Sequence, residues 1–566
     1  MNDDEKIAQV QHLWTTYQSD QIKNEFGTTG VGAAYTFSIT NDTCMHDPMC
    51  RLTAHNELQA SLLNSSRLGI PISFVQESLH DGGYGATIFP MPCMQGASWD
   101  PSLVSAIAEQ IACEARATGV DRGFSPELQV CTDPRFGRTE ENYGEDPMLV
   151  AALGVAALDG YQGNRAGPSA MVDYKHIVCE AKHYVAYAQG GFDGYTTDTS
   201  ENTLRDIYLR PWRAFARNGG RAVMVSHNDV NNVPMHMNTE LLTDVLRNEF
   251  GCQACLIGSD FHDVESLMTF QVAANLTDAA WLGLSAGVDQ GLGDRAFSTA
   301  TLRALLAAAP NVRSHLDRAT ANVLRAKFAS GLFDRPITPA DMLPLVGNGT
   351  ALASRAVAEA AVLLKNNNRS LPLALSPASL AAREAMYGAD NAPAGVVRSV
   401  ALVGPLVDDY LSYCGGYTHI GHLQPPLRAL ASAAARVRAN ITIETLLTEA
   451  RKRCANKQTK QRETWHTMFS KANIQPKSGV GAPALPRRQC LHHRGADGVA
   501  PALRCSARHC AAALRCCTAL LRCAALRCGC GCVSHTLRLR LRCAFDLVLV
   551  GAPHHTAPHR TACAYA

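Results

Sequence analysis

Aromatic residues, charged residues and long apolar runs are all scarce in this chain of 566 residues. Aromatic residues make up 6% of the sequence and charged residues 18%, whereas hydrophobic residues reach 46%. No apolar run approaches the roughly 18 residues that a transmembrane helix needs, and the mean hydropathy is −0.07. The composition therefore predicts no membrane span, and it is too apolar for a disordered chain.

A signal peptide is not visible either, because Met1-Asn2-Asp3-Asp4-Glu5-Lys6 is acidic and polar. This start predicts a cytoplasmic protein if the N-terminus is complete. Asn-x-Ser/Thr sequons mildly favour a secreted protein instead. They lie at Asn41, Asn64, Asn275, Asn348, Asn368 and Asn440.

Charge and cysteine are distributed unevenly along the chain. Residues 451–566 carry a net charge of +17 and the remainder −15, although the whole chain is only +2. Ten of the 21 cysteines lie between Cys505 and Cys563, and five of these ten end a repeated Leu-Arg-Cys unit. These cysteines lack the paired spacing of zinc modules, and no aromatic residues interleave with the basic ones. We therefore expect no metal site and no nucleic-acid partner, and we interpret 451–566 as disordered or as translated non-coding sequence.

Alternating strand and helix patterns follow from residue 67 onwards. The predicted strands are 68–75, 222–226 and 254–260, and the predicted helices are 101–117, 204–218, 241–250 and 316–331. Strands that alternate with helices indicate a parallel sheet, and over roughly 300 residues the expected closure is a barrel. The first domain is therefore assigned to 1–335.

A second α/β unit is expected after a linker at 336–350, which begins with Pro336 and Pro339. We predict a helix over 351–364, a strand over 400–405 and a helix over 427–437. The periodicity fails after about residue 450, so this domain is assigned to 351–450. One later segment, 545–551, again has the pattern of a strand.

Clusters of polar residues stand where predicted strands end. The first includes Glu77, the second is Lys182-His183, and the third includes Asp260. Between them, residues 132–147 are dense in arginine and carboxylates. Carboxylates that face cations stay ionised and offer hydrogen bonds to a ligand with many hydroxyl groups. This chemistry is typical of a sugar site.

Several motifs in a fixed order make the chain resemble glycoside hydrolase family 3, the β-glucosidases and β-xylosidases, from about residue 5 to residue 430. The motifs are Glu77-Ser78-Leu79-His80, 86–90, Ser98-Trp99-Asp100-Pro101, 133–138, Gly144-Glu145-Asp146-Pro147, Ala181-Lys182-His183-Tyr184 and Gly258-Ser259-Asp260-Phe261. The resemblance implies an N-terminal (β/α)8 TIM-type barrel and an α/β sandwich, here incomplete, before the basic, Cys-rich tail.

The resemblance also implies roles for individual residues. Asp260 matches the nucleophile, whose carboxylate forms a covalent glycosyl-enzyme that water hydrolyses with retention. Lys182 and His183 match the pair that hydrogen-bonds the sugar in the −1 subsite. Arg138 matches another ligand of that subsite, although an ion pair to Glu140 or Glu145 is the alternative.

Glu77 matches the carboxylate that binds distal hydroxyls of the sugar. Phe261 replaces a Trp or Tyr that usually follows the nucleophile, and it either stacks on a sugar face or belongs to the core. His227 stands where the family usually has Tyr, close to the nucleophile. A protonated imidazole there would lower the pKa of Asp260, and we expect its own charge to vary near neutrality.

No residue can be assigned as the general acid/base, which usually comes from the family's C-terminal domain. Beyond Ala450 the chain offers only Glu463, Asp497 and Asp546, and none has a matching context. The function implied is a retaining exo-β-glycosidase that releases terminal β-D-glucose or xylose from an oligosaccharide or glycoside, without a cofactor. A weakened carbohydrate-binding pseudoenzyme and a β-xylosidase/α-arabinofuranosidase remain open, as do an extracellular location and the oligomeric state.

Overall fold

A computed structural model of the chain describes residues 1–14, 17–36, 39, 44, 46–163, 171–189, 196–388, 395–397, 399–402, 414–419, 442–445 and 547–548. The chain divides into two compact units. The first holds most of the described residues, including 1–388 with their gaps and 414–419. The second includes Ser399–Leu402, 443–445 and Leu547–Val548. The predicted helix at 427–437 and residues Glu463, Asp497 and Asp546 lie outside the described residues.

Eight strands of the first unit form one parallel sheet. They are β1 Gln11–Leu13, β2 Ala33–Tyr35, β3 Ser73–Glu77, β4 Arg122–Phe124, β5 Val178–Tyr184, β6 Ala222–Val225, β7 Leu256–Gly258 and β8 Gly291–Leu292. Their order is β7-β6-β5-β4-β3-β2-β1-β8, and each neighbouring pair is parallel. Ser259 N donates to Gln290 O at 2.8 Å, and this contact joins β7 to β8. The sheet is therefore a closed barrel, as predicted.

Helices pack around this barrel. They are α1 Asp3–Gln9, α2 Ser19–Phe26, α3 Pro48–Ser65, α4 Pro92–Ala97, α5 Pro101–Ala117, α6 Pro147–Gln162, α7 Arg210–Arg217, α8 Leu276–Ala286, α9 Thr299–Ala308, α10 Arg313–Ala329, α11 Thr350–Ala360 and α12 Pro377–Tyr387. Glu201–Thr203 is a single helical turn, and Leu204–Tyr208 and Glu240–Glu249 are π-helical.

Helix α5 shows why the sequence forms these elements where it does. The Asp100 side chain accepts a hydrogen bond from Ser102 N and caps the first turn, and Pro101 occupies the position where no N–H is needed. Leu103, Ile107 and Ile111 follow at helical spacing and are buried. Each such side chain stabilises the packed helix by about 1.5–3 kcal/mol. The predicted helix at 101–117 is confirmed.

Several predicted boundaries are wrong: the strand expected at 254–260 is Leu256–Gly258 and the helix expected at 316–331 is Arg313–Ala329. Two further differences have a clear physical reason. Strand β3 begins at Ser73 rather than at 68, because Pro71 has no N–H for the ladder and Gly69 has a positive φ of 58°. Helix α11 ends at Ala360 rather than at 364. The apolar side chains that follow it, such as Leu364, are exposed, so nothing in the described part of the chain holds them in a helix.

The predicted helix at 204–218 is interrupted by a π-helical stretch. Leu209 N donates to Leu204 O, five residues earlier, just before Pro211. A proline lacks an N–H and crowds the preceding turn, and the wider π turn relieves that crowding.

In the second unit, Ser399–Leu402 lies between Thr442–Thr445 and Leu547–Val548 in a three-stranded sheet. Its pairing with Leu547–Val548 is antiparallel. The strands expected at 400–405 and 545–551 are therefore present, though shorter. The domain boundaries at 336, 351 and 451 stay predictions.

Candidate active site

The residues predicted to carry the chemistry meet at one end of the barrel. Glu77 is the last residue of β3, and Lys182 and His183 lie near the end of β5. His227 follows β6 and Asp260 follows β7, each two residues beyond the last strand residue. The C-terminal ends of parallel strands lie at the same edge of a barrel, which is where barrel enzymes place their active sites.

Asp260 is buried and lies between two imidazoles. Its Oδ2 is 2.8 Å from His227 Nε2 and 3.3 Å from His183 Nε2. Its Oδ1 accepts a hydrogen bond from Phe261 N at 2.7 Å. Burial favours the neutral acid, but the positive charge of His227 outweighs it and holds the pKa of Asp260 well below its usual range. The carboxylate is therefore ionised.

His227 is enclosed by two carboxylates. Its Nδ1 lies 2.6 Å from Asp263 Oδ2, while its Nε2 faces Asp260. Burial opposes the charged ring, yet Asp260 and Asp263 together raise the pKa of His227 to about 12. The expectation that this charge varies near neutrality is wrong, because the sequence did not show that Asp263 would face the second ring nitrogen.

His183 is also held by its Nδ1, which lies 2.8 Å from Glu127 Oε1 and 3.1 Å from Gln129 Oε1. Both partners accept hydrogen bonds, so the proton belongs on Nδ1 and the lone pair on Nε2. Burial, reinforced by the nearby Arg138 guanidinium, places the pKa of His183 well below its usual value. His183 is therefore a neutral imidazole whose Nε2 faces Asp260.

Lys182 and Glu77 form a buried ion pair beside this group. Lys182 Nζ donates to Glu77 Oε2 at 2.8 Å, and both side chains are less than one-tenth exposed. Burial opposes the ammonium charge, but the Glu77 carboxylate raises the pKa of Lys182. A buried charge of each sign, with further hydrogen-bonding capacity on both, can orient a hydroxylated ligand.

Arg138 lies in the loop after β4 and is locked by two hydrogen bonds of 2.7 Å, from Nε and Nη2 to the two carboxylate oxygens of Glu141. The predicted alternative partners, Glu140 and Glu145, are wrong, because Glu141, three residues after Arg138 at the end of the turn Thr139–Glu141, holds the guanidinium instead. Arg138 Nη2 also lies 3.4 Å from His183 Nε2. The guanidinium thus belongs to the cluster around Asp260.

Phe261 is 37% exposed and is not a core residue. Its ring centroid is 4.7 Å from that of Trp14, at the end of β1. Gly293 permits this contact, because a Cβ there would lie 2.8 Å from the Phe261 ring and its φ is +61°. Phe261, which follows Asp260 in the chain and packs on the half-buried Trp14, offers a stacking surface.

Sequence reasoning missed Tyr417. Its ring centroid lies 4.3 Å from Lys182 Nζ and its hydroxyl 3.5 Å from Arg138 Nη2. The segment 414–419 is anchored by His419, whose Nδ1 lies 2.5 Å from Asp81 Oδ1. Tyr417 is more than 200 residues from both cations in sequence, so no local pattern could have indicated it.

Glu127 and Asp263 were missed as well. Asp263 lies three residues after Asp260 in the same polar cluster, which is a signal that could have been used. Glu127 follows Ser125-Pro126 directly after β4, again at a strand end. Among the described residues, a group of donor atoms able to hold a metal ion is formed by His183, His227 and Asp260.

The first 326 residues match a known family. The model of the glycosyl hydrolase family 3 N terminal domain matches residues 3–326. The chain belongs to glycoside hydrolase family 3.

Curated relatives of this family member are glycosidases by name. A β-xylosidase of Formosa agariphila is 36% identical over 378 residues, which are 63% of this chain and 49% of the relative. A periplasmic β-glucosidase of Salmonella typhimurium is 30% identical over 385 residues, 66% of this chain and 46% of the relative. The chain therefore spans about half the length of the curated relatives it matches.

Solved structures agree with the fold. A β-glucosidase from Erythrobacter marinus superimposes with a TM-score of 0.68 at 29% identity, covering 79% of this chain and 56% of that one. A β-glucosidase from Listeria innocua in complex with glucose gives 0.65 at 28% identity, covering 79% and 58%. In the described part of this chain, no helix has the length and apolar character that crossing a bilayer requires.

Proposed function

We propose that this protein is a retaining exo-β-glycosidase that releases a terminal β-D-glucose or xylose residue from a glycoside, with Asp260 as nucleophile. One observation carries the proposal: Asp260 is a buried yet ionised carboxylate at the C-terminal edge of the barrel, and its charge is favoured by the cationic side chains of His227 and Arg138. An anion held this way is ready to attack an electrophilic sugar carbon.

In the proposed reaction, an Asp260 oxygen bonds to the anomeric carbon as the bond to the leaving oxygen breaks. Water then hydrolyses the glycosyl-enzyme, and the product retains its configuration. The group that protonates the leaving oxygen is not assigned. Without such an acid, about 10²–10⁴-fold of rate is lost, and aryl glycosides with good leaving groups suffer least.

The other site residues bind the sugar in this proposal. Lys182 and Glu77 present a buried cation and anion that can donate to and accept from neighbouring hydroxyls. Nearer to Asp260, His183 Nε2 accepts a hydrogen bond from a sugar hydroxyl and Arg138 donates one. Phe261, paired with Trp14, offers a face on which a sugar ring can stack.

Glucoside and xyloside substrates are proposed because relatives are named for both activities. Two relatives in Medicago sativa are named β-xylosidase/α-L-arabinofuranosidase, at 28% and 29% identity. The bacterial relatives at 30–36% identity are named β-xylosidase or β-glucosidase. We therefore propose glucosides and xylosides as the preferred substrates and rank arabinofuranosides below them.

An oxidising compartment fits the cysteines of the barrel unit. Cys44 is disulfide-bonded to Cys50, and Cys252 to Cys255. Stable disulfides are rare in the cytosol and common in secreted or periplasmic proteins. We propose on this basis that the protein acts outside the cytoplasm.

The experiment uses the full chain with aryl β-glucoside and aryl β-xyloside, followed by 2-deoxy-2-fluoro glycosyl fluorides of both sugars. We expect aryl release, inactivation by one fluorosugar, and a glycosyl adduct on the peptide that carries Asp260. Asp260→Asn should lower the rate by about 10³-fold or more and abolish labelling. Asp244→Asn, at an exposed helical site, is the matched control and should label normally.

Two outcomes overturn the proposal. An adduct on another side chain in active protein removes Asp260 as nucleophile. Binding of glucose or xylose by the folded protein, without release from either aryl glycoside, makes the chain a carbohydrate-binding pseudoenzyme instead.

A further inference from the structure

Three donor atoms converge on one point of the site. Asp260 Oδ2 lies 2.8 Å from His227 Nε2 and 3.3 Å from His183 Nε2, and the three atoms are all within 4.8 Å of one another. Zinc takes imidazole and carboxylate ligands at about 2.0–2.2 Å, so ligand atoms in a tetrahedral site lie about 3.3 Å apart. The two distances from Asp260 Oδ2, 2.8 and 3.3 Å, are close to that value.

Both imidazoles are also oriented as metal ligands usually are. The Nδ1 of His183 lies 2.8 Å from Glu127 Oε1, and the Nδ1 of His227 lies 2.6 Å from Asp263 Oδ2. Histidines that bind a metal through one nitrogen almost always donate the other N–H to a carboxylate or carbonyl, which sets the tautomer and the ring orientation. Here two independent carboxylates leave both Nε2 atoms facing Asp260.

We propose that His183, His227 and Asp260 form a binding site for a divalent transition-metal ion such as Zn²⁺, and that the bound ion blocks the sugar from Asp260. Two nitrogens and one oxygen suit Zn²⁺ and leave a fourth position for water. The blocking effect rests on the proposed glycosidase function, whereas the binding itself does not.

The two cationic side chains around the trio are each paired with a carboxylate. Arg138 Nη2 is 3.4 Å from His183 Nε2, but its guanidinium is held by both oxygens of Glu141. Lys182 is paired with Glu77. The imidazolium charge of His227 is lost when the ion displaces its Nε2 proton, and the charges of Asp260 and Asp263 then favour a dication.

Binding of the metal ion displaces one proton from the three ligands. The ion takes the lone pair of His183 Nε2 and one lone pair of Asp260 Oδ2, which carry no proton. At His227 it replaces the Nε2 proton, which leaves to solvent, while the Nδ1 proton stays beside Asp263 Oδ2. Each ion bound therefore releases one proton.

The test measures Co²⁺ and Zn²⁺ binding to the full chain by calorimetry and by the visible absorption of bound Co²⁺. His227→Gln removes one of the three ligands. Asp263→Asn keeps all three ligands but removes the carboxylate that orients the His227 ring. His176→Gln is the matched control, because His176 Nδ1 lies 2.5 Å from Asp173 Oδ1 outside the site. Circular dichroism and the thermal unfolding midpoint establish that each variant is folded.

We expect wild type and His176→Gln each to bind one more ion per chain than His227→Gln does. With Co²⁺, the first two proteins should show the absorption bands of a tetrahedral ion, and His227→Gln should lack them. Every variant keeps the cysteines and histidines of 451–566. Any ions bound there add equally to each stoichiometry and do not affect the difference between variants. Asp263→Asn should lower the affinity for this additional ion about 10–100-fold. Equal stoichiometry and affinity in wild type, His227→Gln and Asp263→Asn overturn the proposal.

Inhibition provides a second measurement that separates the two proposals. In active protein, Zn²⁺ should inhibit aryl glycoside release competitively, and Asp263→Asn should need about 10–100-fold more ion for the same inhibition. If the chain releases no sugar, the calorimetric comparison still decides the metal site. If active protein binds the additional ion and still releases the aryl group at an unchanged rate, the ion does not block the sugar.

Discussion

His227 Nε2 lies 2.8 Å from Asp260 Oδ2, and this ion pair places a positive charge directly beside the carboxylate proposed as nucleophile. The second carboxylate, Asp263, keeps that charge in place across the neutral pH range. A nucleophile stabilised by an adjacent cation is fully ionised but less basic, and therefore attacks more slowly.

We expect His227→Tyr to raise turnover of an aryl glycoside by about tenfold, which corresponds to about 1.4 kcal/mol of activation free energy. A phenol can still donate one hydrogen bond to Asp260, but it removes the positive charge. Turnover is measured at saturating substrate, so that changes in sugar affinity do not enter. An unchanged or lower rate in a folded variant would show that the imidazolium does not restrain Asp260.

The buried pair of Lys182 and Glu77 makes a prediction about stability. Lys182→Met leaves the Glu77 carboxylate buried without its cation, and we expect the free energy of unfolding to fall by about 3–5 kcal/mol. Replacing both residues, as Lys182→Met with Glu77→Leu, should restore most of it, because no unpaired charge remains. Urea unfolding of the three proteins measures this difference.

Arg205→Met is the matched control for that series. Arg205 is paired with Glu249 at an exposed position, with 2.8 Å between Nη1 and Oε2. Exposed pairs contribute about 0–1 kcal/mol, so this variant should be nearly as stable as wild type. Equal losses for Lys182→Met and Arg205→Met would mean that the burial of the Lys182 pair has no energetic consequence.

The sequence predicts those parts of the site that depend on where strands end. Lys182 and His183 lie near the end of β5 and Asp260 follows β7, and a closed parallel barrel brings such positions to one edge whatever the details of packing. The sequence does not predict the charge of His227, because that charge depends on which way Asp263 points. Nor does it predict Tyr417, whose position depends on contacts between residues far apart along the chain.

Tyr417 should contribute to sugar affinity rather than to the chemical step. Its ring lies 4.3 Å from Lys182 Nζ, and it helps to orient the ammonium group. We expect Tyr417→Ala to raise KM about 3- to 30-fold with little change in kcat, since such a contact contributes about 0.5–2 kcal/mol. Steady-state kinetics on the aryl glycoside measure both constants.

The control for Tyr417 is Tyr174→Ala. Tyr174 is similarly exposed, 49% against 45%, and its ring lies 5.6 Å from Lys175 Nζ outside the site. Its removal should leave KM unchanged. A fall in kcat with constant KM for Tyr417→Ala would assign this residue to the chemical step instead.

Glu265 should make stability depend on pH in the acid range. Burial opposes its charge, but hydrogen bonds from His262 and Arg295 lower the pKa of Glu265 to about 2. The unfolded carboxyl titrates near 4.3, so between about pH 2 and 4.3 the unfolded chain binds more protons than the folded one. The resulting stability is present above pH 4.3 and is lost as the pH falls towards 2.

Glu265→Gln removes this titrating group. We expect the variant to be less stable than wild type at pH 6 by about 1 kcal/mol, since the Arg295 partner is largely exposed and screened. That difference should shrink towards zero near pH 2. Thermal unfolding midpoints at several pH values measure it, with Glu57→Gln, at an exposed position, as the control. A difference between wild type and Glu265→Gln that stays constant from pH 6 to 2 would show that the carboxylate charge does not stabilise this loop.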